Sequence, residues 1–360
     1  MNYRFRGNDV PNILSRWPHM ETRARILEIP RLLRETLEKG VREYETLIRH
    51  IRWGEGPIYI CGCGASLPMG MAGAYLFEWL AGWPVLARSA KVFEAYTLFT
   101  LRPRAVVVVI SASGEDPEGL EVVRIARSRG ATLLALTRNP DGPLARACEG
   151  VFLTRDEGAD DSAATAVCQL AALSSIALIA ARVLKHSRPG LELFEEELTR
   201  LPGQMEWSFT QLSDALGSLA QELRAMGRFW LVGGGLYHPV VVRGARRATA
   251  MGGIHGEGIE VSEFCSDLLL HLRHGDVAMF VSGSRLRIKR EVHQAAAQIK
   301  LKGARLITLT DTNDRELVDR SEMAILVPPL SEVGGSILAL ALLELLTSQV
   351  VRSSESNHPK

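Results

Sequence analysis

Three groups of residues in this chain have the types and spacing that chemistry needs. Ser111-Ala-Ser113-Gly114-Glu115-Asp116 offers two hydroxyls and a glycine directly ahead of a helical pattern, Pro117 to Arg129. Hydroxyls, a backbone that can be approached closely and the free N–H groups of a helix start make a cradle for an oxyanion. Cys63-Gly64-Ala65-Ser66 is a second turn of that design, with Ser66 at its tip. The competing reading is that these serines only cap helices; two such loops on one sheet favour a ligand. The third group is acidic, with His255, Glu257, Glu260, Glu263 and Asp267 crowded into one segment. Crowded carboxylates raise one another's affinity for protons, which suits general acid–base work. On a helix, Glu260 and Glu263, and likewise Glu263 and Asp267, would share a face. The alternative is a solvated acidic face paired with Arg243, Arg246 and Arg247.

The elements that must position these groups occur twice. Pro57-Ile-Tyr-Ile-Cys-Gly-Cys-Gly-Ala-Ser66 and Arg228-Phe-Trp-Leu-Val-Gly-Gly-Gly-Leu-Tyr237 both read as strand, glycine turn and helix, with Gly62 and Gly233 171 positions apart. The next strand repeats at the same spacing, Ser111 falling on Ser282, and Leu133-Leu-Ala-Leu-Thr137 falls on Leu306-Ile-Thr-Leu-Thr310 at 173. The strands are nearly continuous apolar runs, as strands buried on both faces must be. Alternation with amphipathic helices predicts right-handed crossovers and parallel sheets. Ligands of such sheets bind beyond the carboxyl ends of the strands. The expected organisation is an arm and helix over 1–53, a first α/β domain over 54–187 and a helical connector over 188–226. A second domain follows over 227–352, then a loose tail over 353–360. Within the connector, Ser187-Arg-Pro-Gly190 and Leu201-Pro-Gly203 read as breaks.

The chain of 360 residues has room for two cores, and its net charge of +1 excludes a general nucleic-acid binder. Five cysteines without paired spacing point to free thiols and a reducing compartment. Cys61 and Cys63 share a strand face and read as small core residues. Met1 to Trp17 is polar with three arginines, so no signal peptide is read and the cytoplasm is expected. Gly334 to Val351 is apolar but interrupted by Glu344, and reads as a buried helix rather than a membrane span. A nucleotide is a weaker reading: neither the third glycine nor the acidic residue of a dinucleotide turn is clearly placed, and a P-loop lysine is absent.

Cys63-Gly-Ala-Ser66, Ser111-x-Ser113-Gly-Glu and Gly158-Ala-Asp-Asp-Ser162-Ala-Ala-Thr165 together resemble the motifs of sugar isomerase (SIS) domains. The tandem pair resembles the isomerase half of glucosamine-6-phosphate synthase and the related amino-sugar phosphate deaminases and deglycases, over about residues 20 to 350. The resemblance implies two flavodoxin-like α/β domains with parallel sheets, behind an N-terminal helical arm. It implies a phosphosugar ligand held by Ser66, Ser111, Ser113 and Ser162, with no metal or organic cofactor. It also implies a homodimer with sites between domains and subunits. Where the family has a hydroxyl, this chain has Asp116, and a carboxylate beside a phosphate repels it. Asp116 therefore caps its helix, or the ligand carries less charge than usual.

Departures in the second half bear on the reaction. In the one ungapped frame, the family's proton-transferring carboxylate falls on Ala250, a nearby lysine on Arg247, and the ring-opening histidine on Ser266. The lysine of the family's catalytic tail has no clear counterpart. An aldose–ketose shift needs a carboxylate or imidazole over the reacting carbons, which leaves Glu263 and Glu257 as the expected proton carriers and His255 as ring opener. The leading expectation is an isomerase, deaminase or deglycase acting on an amino-sugar phosphate or sugar-amine phosphate. No glutaminase segment is read ahead of the two domains, so an external amine or a lytic direction is expected. The alternative is a catalytically silent sugar-phosphate sensor.

Overall fold

The computed structural model describes residues 23–51, 53, 56–156, 162–184, 190–226, 228–252 and 254–355. The arm before residue 23, Gly158 to Asp161, the expected break at Ser187 and the tail from 356 lie outside the described residues.

The apolar runs become strands. In the first half they are β1 (Ile58–Gly62), β2 (Val85–Ser89), β3 (Val106–Ile110), β4 (Thr132–Thr137) and β5 (Gly150–Leu153), ordered β2-β1-β3-β4-β5. The second half repeats this with β6 (Arg228–Gly233), β7 (His255–Glu260), β8 (Val277–Val281), β9 (Arg305–Asp311) and β10 (Met323–Val327), ordered β10-β9-β8-β6-β7. Every neighbouring pair is parallel. All five residues of β1, β3 and β8 are buried, because helices cover both faces of each sheet. In each sheet the second strand lies on one side of the first and the third on the other. The winding therefore reverses between β1 and β3, and again between β6 and β8. At such a reversal the loops diverge and leave a crevice. This is a flavodoxin-like α/β fold, present twice.

The helices, in chain order, are α1 (Arg23–Leu27), α2 (Ile29–His50), α3 (Ser66–Leu76), α4 (Ala90–Ala95), α5 (Pro117–Ser128), α6 (Pro143–Ala147), α7 (Ala163–Val183), α8 (Leu191–Met226), α9 (Tyr237–Gly252), α10 (Val261–Glu263), α11 (Lys289–Leu301), α12 (Arg315–Arg320) and α13 (Glu332–Glu355). The N-terminal helix α2 is amphipathic. It buries Leu33, Leu37, Tyr44 and Ile48 against the first domain, and its Tyr44 hydroxyl donates to the Leu153 carbonyl at 2.6 Å.

Three local expectations change. The connector is one helix of 36 residues that runs through Pro202 and Gly203 without a break. Pro202 forfeits one backbone hydrogen bond, but Leu198, Leu201, Met205 and Phe209 are all buried around it and hold the helix together. The last helix continues to Glu355, past the expected boundary at 352. The segment from His255 to Glu260 is an edge strand, so Glu260 ends a strand instead of sharing a helical face with Glu263.

Two helices, Ala163–Val183 and Glu332–Val350, are long and apolar enough to cross a membrane, but their most apolar windows are 100% and 89% buried inside the protein. The latter contains Glu344, which meets Arg243 at 2.9 Å and Arg247 at 3.2 Å, all three side chains buried. That ion pairing fastens α13 to α9. It also takes Arg243 and Arg247 away from the acidic segment they were set against in the sequence.

Candidate functional site

The two serine loops lie side by side because β1 and β3 are neighbours, with Gly62 in register with Ile110. Gly62 bends the chain so tightly that a Cβ there would stand 2.8 Å from the Ser66 carbonyl carbon. Gly64 (φ +51°) and Gly114 (φ +71°) supply the left-handed conformations that complete the two loops. Ser111 is buried and its Oγ accepts from the Gly114 amide at 3.2 Å. Ser113 Oγ accepts from the Glu115 amide at 3.3 Å.

The loop's carbonyls are tied back toward β4 and α6. Ala112 O accepts from Arg138 N at 3.1 Å and Thr137 Oγ1 at 3.0 Å. Ser113 O accepts from Asn139 Nδ2 at 3.1 Å, and Gly114 O from Leu144 N at 2.9 Å. Among the described residues, none accepts from the amides of Ala65 or Ser113. Helices α3, α5 and α7 all begin at this end of the sheet, and aligned peptide dipoles favour an anion there.

Asp116 is the N-cap of α5, accepting from Glu118 N and Gly119 N, both at 3.3 Å. Of the two roles left open for it, the structure uses the capping one. Half-buried Cys63 packs against the core beside it; burial first, then the Asp116 and Glu118 carboxylates, push its thiol up and keep it protonated. Ser162 caps α7, accepting from Thr165 N at 3.0 Å and sharing a 2.8 Å hydrogen bond with Thr165 Oγ1. Thr165 Oγ1 in turn donates to buried Asp156 at 2.6 Å. Ser162 is at the right end of the sheet, but its hydroxyl serves this network.

Two neighbours of the cradle were not placed there from sequence, although Arg246 was set against the acidic segment. Gln169, buried two turns into apolar α7, donates to Ser66 Oγ at 3.5 Å. A single amide in so apolar a helix was its signal. Arg246, on α9 of the second domain, donates to the Gly64 carbonyl at 3.3 Å and brings a positive charge to the crevice rim.

The sequence model of the SIS domain matches residues 53–182 and again 222–351. The chain belongs to the SIS domain family. It is 28% identical over 342 residues to a glutamine–fructose-6-phosphate aminotransferase (isomerizing) of Gloeobacter violaceus, covering 90% of this chain and 54% of that protein. The chain thus spans about half the length of the curated relatives it matches. Its fold superposes with a TM-score of 0.83 on the C-terminal domain of glucosamine-fructose-6-phosphate aminotransferase from Francisella tularensis, at 19% identity, over 93% of this chain and 96% of that one. Glucosamine-6-phosphate deaminase from Thermotoga maritima matches at 0.65 and 14% identity, over 91% and 95%.

The acidic segment does not converge on the SIS cradle. His255 opens β7 and Glu260 closes it, about 16 Å apart at strand spacing, so His255 sits at the opposite end of the sheet from the loops. Glu257 is mid-strand and exposed on the outer edge. Glu260 caps α10, accepting from Ser262 N at 2.6 Å. Exposed Glu263 and Asp267 follow in the short helical turns. Within one chain, His255, Glu257 and Glu263 therefore cannot act together on one bond.

Glu260 and Glu263 instead neighbour two residues not anticipated, His238 of α9 and Tyr75 of α3. Burial lowers the proton affinity of His238, and the two carboxylates partly restore it. Burial, then Glu260, Glu78 and Glu263, raise Tyr75. This group can exchange protons, but it lies at the far end of α3, about 14 Å along the helix from Ser66. Near the cradle itself α9 carries Arg246 and, one turn on, exposed Ala250.

Proposed function

We propose that this chain is a sugar-phosphate-binding protein whose first domain holds the phosphoryl group. Ser66, Ser111, Ser113 and the Ala65 and Ser113 amides bind its oxygens, and Arg246 screens its charge. The observation that carries this reading is the pair of adjacent serine loops, whose Ala65 and Ser113 amides have no acceptor among the described residues. The names of its relatives, which mention fructose 6-phosphate and glucosamine 6-phosphate, support the ligand class. Ala250, Ser266 and the distance of the acidic segment support binding without isomerisation by this chain alone. Titration calorimetry with fructose 6-phosphate and glucosamine 6-phosphate tests it. Saturable binding of either, absent with unphosphorylated fructose, is expected; no binding of any phosphosugar contradicts it.

One observation favours a second reading, an isomerase or deaminase on the same ligands. His238 is partly buried, and the Glu260 and Glu263 carboxylates act on it; burial holds its proton affinity below the usual range, which leaves it a neutral base near pH 7. In that reading a homodimer completes the site and Glu263 moves the proton. Turnover of fructose 6-phosphate or glucosamine 6-phosphate, abolished by Glu263→Gln, would establish it.

A further inference from the structure

The second domain repeats the first domain's loops, yet its cradle contains part of the chain itself. Leu236 stands at the place of Ala65, and Ser284 at the place of Ser113, both 171 positions on. These are the two amides left open in the first domain. In the second, Leu236 N donates to Glu332 Oε1 at 3.0 Å and Ser284 N to Asp311 Oδ2 at 2.6 Å. Glu332 Oε2 also accepts from Arg287 N at 3.2 Å. A methyl group on Gly235 would collide with Glu332 Oε1, so the carboxylate lies directly on the turn. Tyr237, at the place of Ser66, is buried beside it.

The differences between the two copies are localised and of consistent sign. Ser162 caps α7 through Thr165 N, and Ser331 caps α13 through Gly334 N at 3.2 Å. The first helical residue after each cap is Ala163 in one copy and Glu332 in the other. Similarly, the residue closing the fourth strand region is Arg138 in the first copy and Asp311 in the second, 173 positions on. The first copy carries a methyl and a cation where the second carries two carboxylates. Glu332 is buried, which raises its proton affinity, and the Leu236 and Arg287 amides oppose that rise. A buried carboxylate accepting from two backbone amides on the sheet's ligand-binding edge occupies the position of a bound oxyanion.

We propose that the second domain holds an oxyanion cradle that this chain keeps filled with its own Glu332 and Asp311 carboxylates. The filled cradle is a latent site for a small oxyanion such as phosphate. Cutting Glu332 back to Ala removes four heavy atoms from the Leu236 and Arg287 amides and opens that part of the site, with Asp311 still on the Ser284 amide. The claim does not depend on what the first domain binds.

The test uses the full chain in a Ser66→Ala/Ser113→Ala background, which removes first-domain hydroxyls from the comparison. The probe is inorganic phosphate against chloride at equal ionic strength. Adding Glu332→Ala should give a protein that melts several degrees higher in phosphate, saturably, and calorimetry should count one phosphate per chain. The background protein, and the same protein with Glu332→Gln, whose amide still fills the space, should gain neither. Glu332→Ser, which keeps a polar atom at the helix start, carries the same comparison if Glu332→Ala does not fold. A folded protein with either shortened side chain that gains no stability and binds no phosphate overturns the proposal. So does failure of both to fold in phosphate as well as chloride, because the added ion should replace the lost carboxylate. If the unmodified chain binds no phosphosugar, the first-domain reading falls while this one stands or falls on the Glu332 variants alone.

Discussion

Ser113 is the cradle hydroxyl with the fewest other duties, since its Oγ only steadies the exposed Glu115 amide at 3.3 Å. Ser111 is buried and holds the Gly114 turn together, so its loss would disturb the loop as well as the ligand. Ser113→Ala should therefore weaken fructose 6-phosphate binding about tenfold or more. A hydrogen bond to a charged group contributes about 1.5–3 kcal/mol, and each 1.4 kcal/mol is about a factor of ten. Calorimetric affinity should fall while the melting temperature stays put. The three serines were legible in sequence because hydroxyl, glycine and helix start are adjacent along the chain. Gln169, Arg246 and His238 were not, because each meets its neighbour across 100 residues or more or from another helix. Asp116 shows the limit of matching by position: a residue aligned with a ligand-binding hydroxyl spends its side chain on the helix start.

Helix starts decide which copy is open. Serine caps α7 and α13 alike, and the next residue either leaves the crevice free or fills it. Ala163→Glu should therefore carry the carboxylate of the second copy into the first and abolish phosphosugar binding, with the fold kept by circular dichroism. Retained affinity in a folded Ala163→Glu protein would show that the two helix starts are not equivalent. The element not read from sequence is β7. Its His-Gly-Glu-Gly-Ile-Glu pattern buries only Ile259 fully, so neither strand alternation nor helical spacing is strong. The reason lies in α9, which passes so close that a Cβ on Gly258 would stand 2.5 Å from the Val241 carbonyl oxygen. Glycine was needed there for contact with a helix, and that is invisible until the helix is placed. The central strands, buried on both faces, were legible for the opposite reason.

At the scale of the whole molecule, the two domains interlock through α3 and α9. Arg246 reaches Gly64 at one end, and the Arg287 guanidinium stacks on the Trp79 ring at 4.7 Å at the other. Beneath α9, Glu344 pairs with two buried arginines. Removing one partner of a buried ion pair leaves uncompensated charge, so Glu344→Ala should cost about 3–5 kcal/mol, read as a lower urea midpoint. A loss near zero would mean that water or relaxation readily replaces the carboxylate. The duplication was legible from paired glycine turns at one spacing, but the asymmetry between the copies was not, because Glu332 lies almost a hundred residues from the turn it fills.

The central claim is that one cradle of the pair is open to an anion. Crystals of the unmodified protein soaked in tungstate, with anomalous diffraction to locate the metal, would test it directly. The account predicts one tungstate per chain, within hydrogen-bond reach of the Ala65 and Ser113 amides, and none at Leu236 and Ser284. Tungstate bound only elsewhere on the chain would contradict it.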